Sequence, residues 1–362
     1  VAPPHHAAIT GSHKILERQS RILFHPLTLD MEPGQLMAAF LLVTIATLLQ
    51  LFGLTGLLVP NGGIPKTCGD LYERACFGGQ MSGCNNLGSL FERGEGREVS
   101  NQEAVEHYRR ACFGGDMPGC NNLGRLYAIG AGVPRDEARA LEFYRRACDG
   151  GDPGGCRNVG WMYGHGLRVE LDMGKAMEHY TKACDQGHSE ACFLLATARG
   201  ESEPASKERD ESLFLLYQRS CDAGFGQACS VLGSLHREGA AIRKNPERAS
   251  RYFSQACGHG FAEGCFNLGT LYERGEGLVQ DLGNASVYFE KACALNGAAG
   301  CHALGTMYRS GKVLPKNDAK AAELFTRSCD GDDAGGCTNL GVMYAAGVAV
   351  EPDPKKAARY FR

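Results

Sequence analysis

The sequence predicts an all-α fold, a solenoid of about eight helix-turn-helix repeats. Three observations point there. The first is a cysteine pattern. Sixteen of the 17 cysteines fall into pairs eight residues apart: Cys76/Cys84, Cys112/Cys120, Cys148/Cys156, Cys184/Cys192, Cys221/Cys229, Cys257/Cys265, Cys293/Cys301 and Cys329/Cys337. The first cysteines recur every 36 residues, except that Cys184 to Cys221 is 37. A fixed period in this range is the signature of a repeat array. The second observation is that other residues keep the same period. An aromatic stands four before each first cysteine, as in Tyr72, Tyr108, Tyr144, Tyr180, Tyr217, Phe253, Phe289 and Phe325, and Asn-Leu-Gly or a relative follows the second, as in Asn86-Leu87-Gly88. The third is spacing within the unit: between Asp136 and Cys148, the residues Ala140, Leu141, Phe143, Tyr144, Ala147 and Cys148 recur at steps of three and four. That is one stripe of a helix.

In chain order, residues 1–35 carry Pro, His and Ser with little periodicity and read as a disordered or untranslated leader. Val1, where a methionine is expected, fits a GTG start, a processed chain or a fragment, with Met31 as an alternative start. Residues 36–59, LMAAFLLVTIATLLQLFGLTGLLV, run 24 positions without a charge, which is long enough to span a bilayer. Lys14, Arg18 and Arg21 precede this stretch and favour a cytosolic N-terminus. The segment is expected to be either a signal peptide or a transmembrane anchor. A lipoprotein is disfavoured, because the residues around Cys68 match that pattern poorly. Residues 60–66 are a linker, and the repeat array fills 67–362.

Within a repeat, Gly150 and Gly151 are expected to stop the first helix in a left-handed conformation. Asp152 caps the second helix, and Pro153 suits its first turn. Cys156, Val159, Gly160 and Tyr163 give the second stripe. Cys148 then lies in the last turn of one helix and Cys156 in the first turn of the next. Eight residues apart on one helix they could not meet, but across a glycine turn they can. Each pair then staples a hairpin, contributing about 2.5 kcal/mol by the loop-entropy argument. The alternative stays open that periodic cysteines are small buried apolar groups in a reduced protein. Zinc is disfavoured: there is no Cys-x2-Cys, no histidine keeps the period, and one pair supplies only two ligands. Cys68 is left over, as a free thiol or a link to another chain. Between Phe193 and Leu213 the pattern degrades and gains a residue, which implies a retained hairpin with a distorted loop and a bend. Residues 353–362 resemble a lone first helix and read as a C-terminal cap.

Net charge is −3 over 362 residues, so no nucleic-acid field is expected. Paired cysteines at this density imply an oxidising compartment, and hence export.

The repeat A-x2-Y-x2-A-C-x2-G-x4-C-x-N-L-G-x-(L/M)-Y-x2-G-x-G resembles Sel1-like repeats over residues 67 to 362. The paired cysteines are similar to those of the cysteine-rich secreted Sel1 proteins of the Helicobacter group. The resemblance implies a right-handed α/α superhelix with one disulfide per repeat and a concave face. It also implies an adaptor role, binding a protein or peptide on that face. For the Helicobacter group it further implies penicillin binding and slow β-lactam hydrolysis, with a peptidoglycan-like ligand.

The residues carry little hydrolase chemistry. A serine β-lactamase needs Ser-x-x-Lys, with the lysine one helical turn from the nucleophile. No serine here has a lysine three residues on, and Ser-Asp-Asn and Lys-Thr-Gly are absent. No H-x-H or H-E-x-x-H metal motif occurs. Glu103 and His107 share a helix face at i and i+4, a pairing that arises often by chance. No catalytic residue, metal or cofactor is therefore expected. One periodic feature suits binding: a basic residue stands two before the first cysteine at Arg74, Arg110, Arg146, Lys182, Arg219, Lys291 and Arg327, with Gln255 the exception. As a ladder these cations could grip acidic peptides or glycan phosphates. As helix C-terminal cations they simply complement the dipole, at about 0.3–1 kcal/mol each. The repeated asparagine is expected to bond backbone between units, and the periodic tyrosines to pack in the core. The leading functional expectation is an exported or membrane-anchored scaffold, periplasmic, secreted or held in the inner membrane with its repeats outside the cytosol. The alternatives are the weak β-lactamase and an assembly factor of the mitochondrial intermembrane space. The lack of an Arg-rich leader counts against the last.

Overall fold

The computed structural model describes residues 67–239 and 242–361. The leader, the apolar segment 36–59 and the linker 60–66 lie outside the described residues. Among the described residues no helix is long and apolar enough to cross a membrane. The chain divides into two compact units, Val1–Gly83 and Cys84–Arg362.

The first unit contains α1 (Cys68–Phe77) and the first turn of α2 (Met81–Arg93). Thr67 opens α1 through a capping box with Asp70, in which each side chain accepts from the other's backbone N–H. Cys68 is exposed and forms no disulfide within this chain.

The second unit continues α2 and adds α3 (Asn101–Phe113), α4 (Met117–Ile129), α5 (Glu137–Asp149), α6 (Pro153–His165), α7 (Met173–Asp185) and α8 (Ser189–Ser202). It goes on through α9 (Lys207–Asp222), α10 (Gly226–Glu238), α11 (Pro246–Gly258), α12 (Ala262–Arg274), α13 (Leu282–Ala294), α14 (Ala298–Ser310), α15 (Asp318–Asp330), α16 (Ala334–Ala346) and α17 (Pro354–Tyr360). Odd-numbered helices are the first of a pair and even-numbered helices the second. Every described element is helical.

The hairpins form as the sequence implies. Asp136 accepts from the amides of Ala138 and Arg139 at the start of α5, and Asp152 accepts from Gly155 at 2.7 Å at the start of α6. One detail differs. Gly150 is not left-handed (φ −80°); the reversal falls wholly on Gly151 (φ 91°). In two later repeats that position is Asn296 (φ 61°) and Asp332 (φ 62°), among the side chains that tolerate this region best.

The cysteines pair within their own hairpins. Disulfides join Cys112 to Cys120, Cys148 to Cys156, Cys184 to Cys192 and Cys221 to Cys229. Three more join Cys257 to Cys265, Cys293 to Cys301 and Cys329 to Cys337. In all seven the Cα atoms are 4.4–4.8 Å apart. Cys76 and Cys84 are disulfide-bonded as well. The chain is thus the oxidised form, with one disulfide per repeat, and the reading of the cysteines as reduced packing groups does not describe it.

Successive repeats lock through one recurring contact. The glycine of Asn-Leu-Gly lies against the aromatic of the following first helix. A Cβ on Gly88, Gly124, Gly160, Gly233, Gly269, Gly305 or Gly341 would stand 2.6–2.8 Å from the ring of Tyr108, Tyr144, Tyr180, Phe253, Phe289, Phe325 or Phe361. The second periodic aromatic adds a stacked pair at the same junctions. Tyr127 stacks on Phe143, Tyr163 on His179, Tyr272 on Tyr288 and Tyr344 on Tyr360, with centroids 5.5–5.8 Å apart. Thus α17 packs on α16 as each first helix packs on the second helix before it, with Phe361 over Gly341 and Tyr360 on Tyr344. Where the pattern degrades, α8 runs on to Ser202 and ends on Glu203 in extended backbone rather than on a left-handed glycine. The hairpin is retained, and the link to α9 shortens to residues 203–206.

Candidate functional site

The seven basic positions fall at one place in each repeat, the last turn of the first helix. Arg219 donates from Nη2 to the Cys184 carbonyl at 2.6 Å and lies 3.0 Å from Asp185. Arg327 donates to the Cys293 carbonyl at 2.7 Å. These carbonyls lie in the last turn of the preceding first helix, where a cation is favourable. Lys182 stands 4.0 Å from Asp149, again one repeat back. The Arg146 guanidinium lies 4.9 Å over the Phe113 ring, and Lys291 lies 5.0 Å over Tyr288 of its own helix. Arg74 and Arg110 occupy the same turn of α1 and α3. Among the described residues the row is divided between depressions. Arg219 borders one depression of about 420 Å³ and Arg327 another of about 220 Å³.

The paired cysteines hold the two helices of each hairpin together. Cys192, Cys229, Cys265 and Cys301, the second members of four staples, are buried between the helices of their hairpins. Cys293 alone among the paired cysteines borders one of these depressions, the one beside Arg327.

The larger concavities lie on the second helices. One of about 1020 Å³ opens over α10, α12 and α14, and one of about 550 Å³ over α4 and α6. Their linings obey one register, counted from the second cysteine of each repeat. Arg157, Phe266 and His302 come one residue after it. Arg125, Trp161, Thr270 and Thr306 come five after, and Ala128, Arg237 and Glu273 eight after. Ile129, Glu238, Arg274 and Ser310 come nine after. These positions are one helical face, by the i, i+4, i+7/i+8 rule.

This face is where the repeats differ. Five after the second cysteine stand Ser89, Arg125, Trp161, Thr197, Ser234, Thr270, Thr306 and Val342. One residue earlier the glycine is kept in every repeat but one, which has Ala196. Packing demands therefore fix the glycine and leave its neighbour free. Sequence reasoning followed the periodic residues and so missed this face; its signal was the position within the period that refuses to repeat. The floor is polar and internally bonded. Asn122 Nδ2 donates to Asn85 Oδ1 at 2.9 Å, and Asn158 Nδ2 to Asn121 Oδ1 at 2.7 Å. Asn339 Nδ2 meets His302 Nε2 at 2.9 Å, and His302 Nδ1 lies 3.4 Å from Asp333. The repeated asparagine thus bridges second helices through side chains, not through backbone as expected. Backbone groups inside a helix are already engaged with one another. Over α4 and α6 the wall turns apolar, with Ile129 60% and Trp161 38% exposed. Among the described residues no group of three metal-ligating side chains occurs. Glu103 and His107 stand 4.0 Å apart, with the His107 ring stacked on Phe91.

Comparison with known proteins agrees with this geometry. The chain is similar to a protective antigen of uropathogenic Escherichia coli with an SLR fold, at 22% identity and a TM-score of 0.62, over 82% of this chain and 63% of that one. The chain thus spans less than two thirds of that antigen's length. It is similar to a Sel1 repeat protein from Oxalobacter formigenes at 25% identity and a TM-score of 0.56, over 83% and 85% of the two chains. Cysteine rich protein B of Helicobacter pylori matches at 30% identity and a TM-score of 0.31, over 38% of this chain and 99% of that one. No curated protein matches. The Sel1 repeat pattern matches residues 82–116, 118–152, 153–188, 226–261, 262–297, 298–333 and 334–362, leaving out 189–225, where the periodic residues degrade. Seven such matches cover more than half the sequence, so this chain belongs to the Sel1 repeat family.

Proposed function

We propose that this chain is an exported or membrane-anchored scaffold that binds a protein or peptide partner along the groove of its second helices. The observation that supports it most is the contrast between adjacent positions, with packing residues repeated and groove residues varied. Variation confined to one solvent-facing stripe is what recognition of an extended, irregular partner needs, since each repeat then reads a different part of it. Sel1 repeat proteins bind proteins generally, and the disulfides suit an oxidising, extracytoplasmic setting. Within this reading the basic row is subordinate. An acidic partner would engage first Arg146, Lys291 and Arg327, which have no carboxylate partner among the described residues.

The test is capture from envelope extract by the oxidised chain, compared with a Thr270→Trp/Thr306→Trp double variant whose groove over α12 and α14 is filled. A specific partner held by the native chain and lost by the variant is expected. Equal capture by both, or only nonspecific proteins, overturns the assignment.

A further inference from the structure

Two junctions of the array differ by one carboxylate. Between α2, α3 and α4, Glu92 Oε2 accepts from the Tyr108 hydroxyl at 2.9 Å and from Arg125 Nη2. Burial alone would raise its pKa, but Arg125 and Tyr108 outweigh that and hold the carboxyl below its ordinary value. One repeat later the tyrosine is kept as Tyr144, while Ala128 replaces the acid and Trp161 stands in the place of Arg125. The result is the cavity of about 550 Å³ over α4 and α6. Tyr144 is 6% exposed, lines this cavity, and its hydroxyl has no hydrogen-bond partner among the described residues. A cation is still supplied. Arg157, one turn before Trp161 on the same face of α6, bonds Asn158 and Glu190 through its two terminal nitrogens, but its Nε is buried with no partner.

The charges around the opening are unequal. In the lining, Arg125, Arg135 and Arg157 stand with one acid, Glu137, and their ion-pair partners are Glu92, Glu137 and Glu190. Glu137, the acid in the lining, is already matched by Arg135 and Arg168. The seat that Glu92 fills at one junction therefore holds no acid at the next, where an unbonded hydroxyl and a buried N–H stand among three arginines. Beside it stand the apolar surfaces of Ile129 and Trp161.

We propose that this cavity is a carboxylate subsite, which takes a glutamate side chain of a partner protein next to a bulky apolar residue of the same partner. The inference rests on the scaffold reading above and deepens it. Glu92 is the pattern for the occupant: a glutamate carboxylate reached by a tyrosine hydroxyl and an arginine. The neighbouring apolar residue is called for by the exposed ring of Trp161. Carboxylates bound by charged donors are the stronger class of hydrogen bond, so the acid should dominate discrimination.

The chain has a single tryptophan, and it lines this cavity, so its fluorescence reports the subsite directly. The probes are N-acetylated, C-amidated hexapeptides, Gly-Gly-Phe-Glu-Gly-Gly and its Phe-Gln counterpart, with a third peptide ending in a free-carboxylate phenylalanine. The expected result is a saturable change of Trp161 emission with Phe-Glu, and at least roughly tenfold weaker binding of Phe-Gln. Ala128→Glu, which restores the internal acid, should abolish the response. Tyr144→Phe, which removes only the hydroxyl, should weaken it several-fold while leaving the fold intact. Equal binding of Phe-Glu and Phe-Gln, an unchanged response in Ala128→Glu, or no response to any probe overturns the subsite. Binding of the free-carboxylate peptide alone overturns the side-chain assignment in favour of a chain terminus. The two proposals fail separately. If the native chain and Ala128→Glu capture the same partners from extract, the scaffold stands and the subsite falls. If neither captures a partner, the scaffold falls and the fluorescence titration still decides the subsite.

Discussion

His236 shows how much one position can carry. It occupies the place that Tyr127, Tyr163, Tyr272, Tyr308 and Tyr344 hold in other repeats, and it stacks on Tyr252 with centroids 5.5 Å apart, as Tyr127, Tyr163, Tyr272 and Tyr344 stack on their own partners. The ring is 4% exposed and lies edge-on to Phe214, with neither nitrogen bonded. Burial first, and then the Arg248 guanidinium, hold its pKa below the ordinary histidine value, against a smaller opposing contribution from the Arg243 backbone. A lowered folded pKa means that the unfolded chain binds the proton more readily. The stabilisation by neutral His236 is therefore complete above the unfolded value, near pH 6.5, and is lost as pH falls through the folded one. His179 and His188 are held down by burial in the same sense. Urea midpoints should fall between roughly pH 7.5 and pH 5. His236→Tyr, which installs the residue of the other repeats, should remove its share of that fall. An unchanged pH dependence in the variant would show that the ring nitrogens do not matter to stability.

At the scale of the element, the joint between repeats is a helix-to-helix contact set by absence of a side chain. Gly160 lies against Tyr180 so closely that an added Cβ would meet the ring at 2.7 Å, while Tyr180 itself is 4% exposed and cannot retreat. Gly160→Ala should therefore cost about 1–3 kcal/mol through overpacking, although alanine is the better helix former. Chemical unfolding measures it, and a variant as stable as the parent would refute the lock. The chain makes a related substitution itself: Ala196 holds the corresponding position in α8, and there the partner, Tyr217, is only half-buried. This scale is also where the sequence was most legible. Helix pairs, capping aspartates and disulfide partners all follow from residues that recur at fixed offsets, because repeated packing imposes repeated chemistry. Two things were not legible. The use of the repeated asparagines was missed because spacing along one helix does not tell which side chain of the neighbouring helix lies opposite. The groove was missed because its residues are free of packing and so have no period to find. Ala128 looked like nothing in the sequence, and acquires meaning only when Glu92 is seen bonded to Tyr108.

For the whole molecule, stability turns on repeats that touch only their neighbours. In such an array stability is a sum of local units and nearest-neighbour junctions, with no central core to hold a damaged repeat in place. A staple in every hairpin answers that weakness. Each closes a short loop and restricts the unfolded chain locally, by about 2.5 kcal/mol on the entropic account, so that each repeat is supported where it stands. The oxidation state is consequently a property of the entire chain. Of the 17 cysteines, sixteen are disulfide-bonded and Cys68 alone is free and exposed. Alkylation of the unreduced protein in denaturant should add one group per chain, and alkylation after reduction should add seventeen. Thermal unfolding followed by circular dichroism should then show a midpoint well below that of the oxidised chain once reductant is present. The loss should exceed that from removing Cys148–Cys156 alone, because every hairpin loosens and every junction has two loosened neighbours. If many thiols react before reduction, the cysteines are packing groups and the staple account fails. If the count is one but reductant leaves the midpoint unchanged, the glycine–aromatic junctions hold the array without the disulfides.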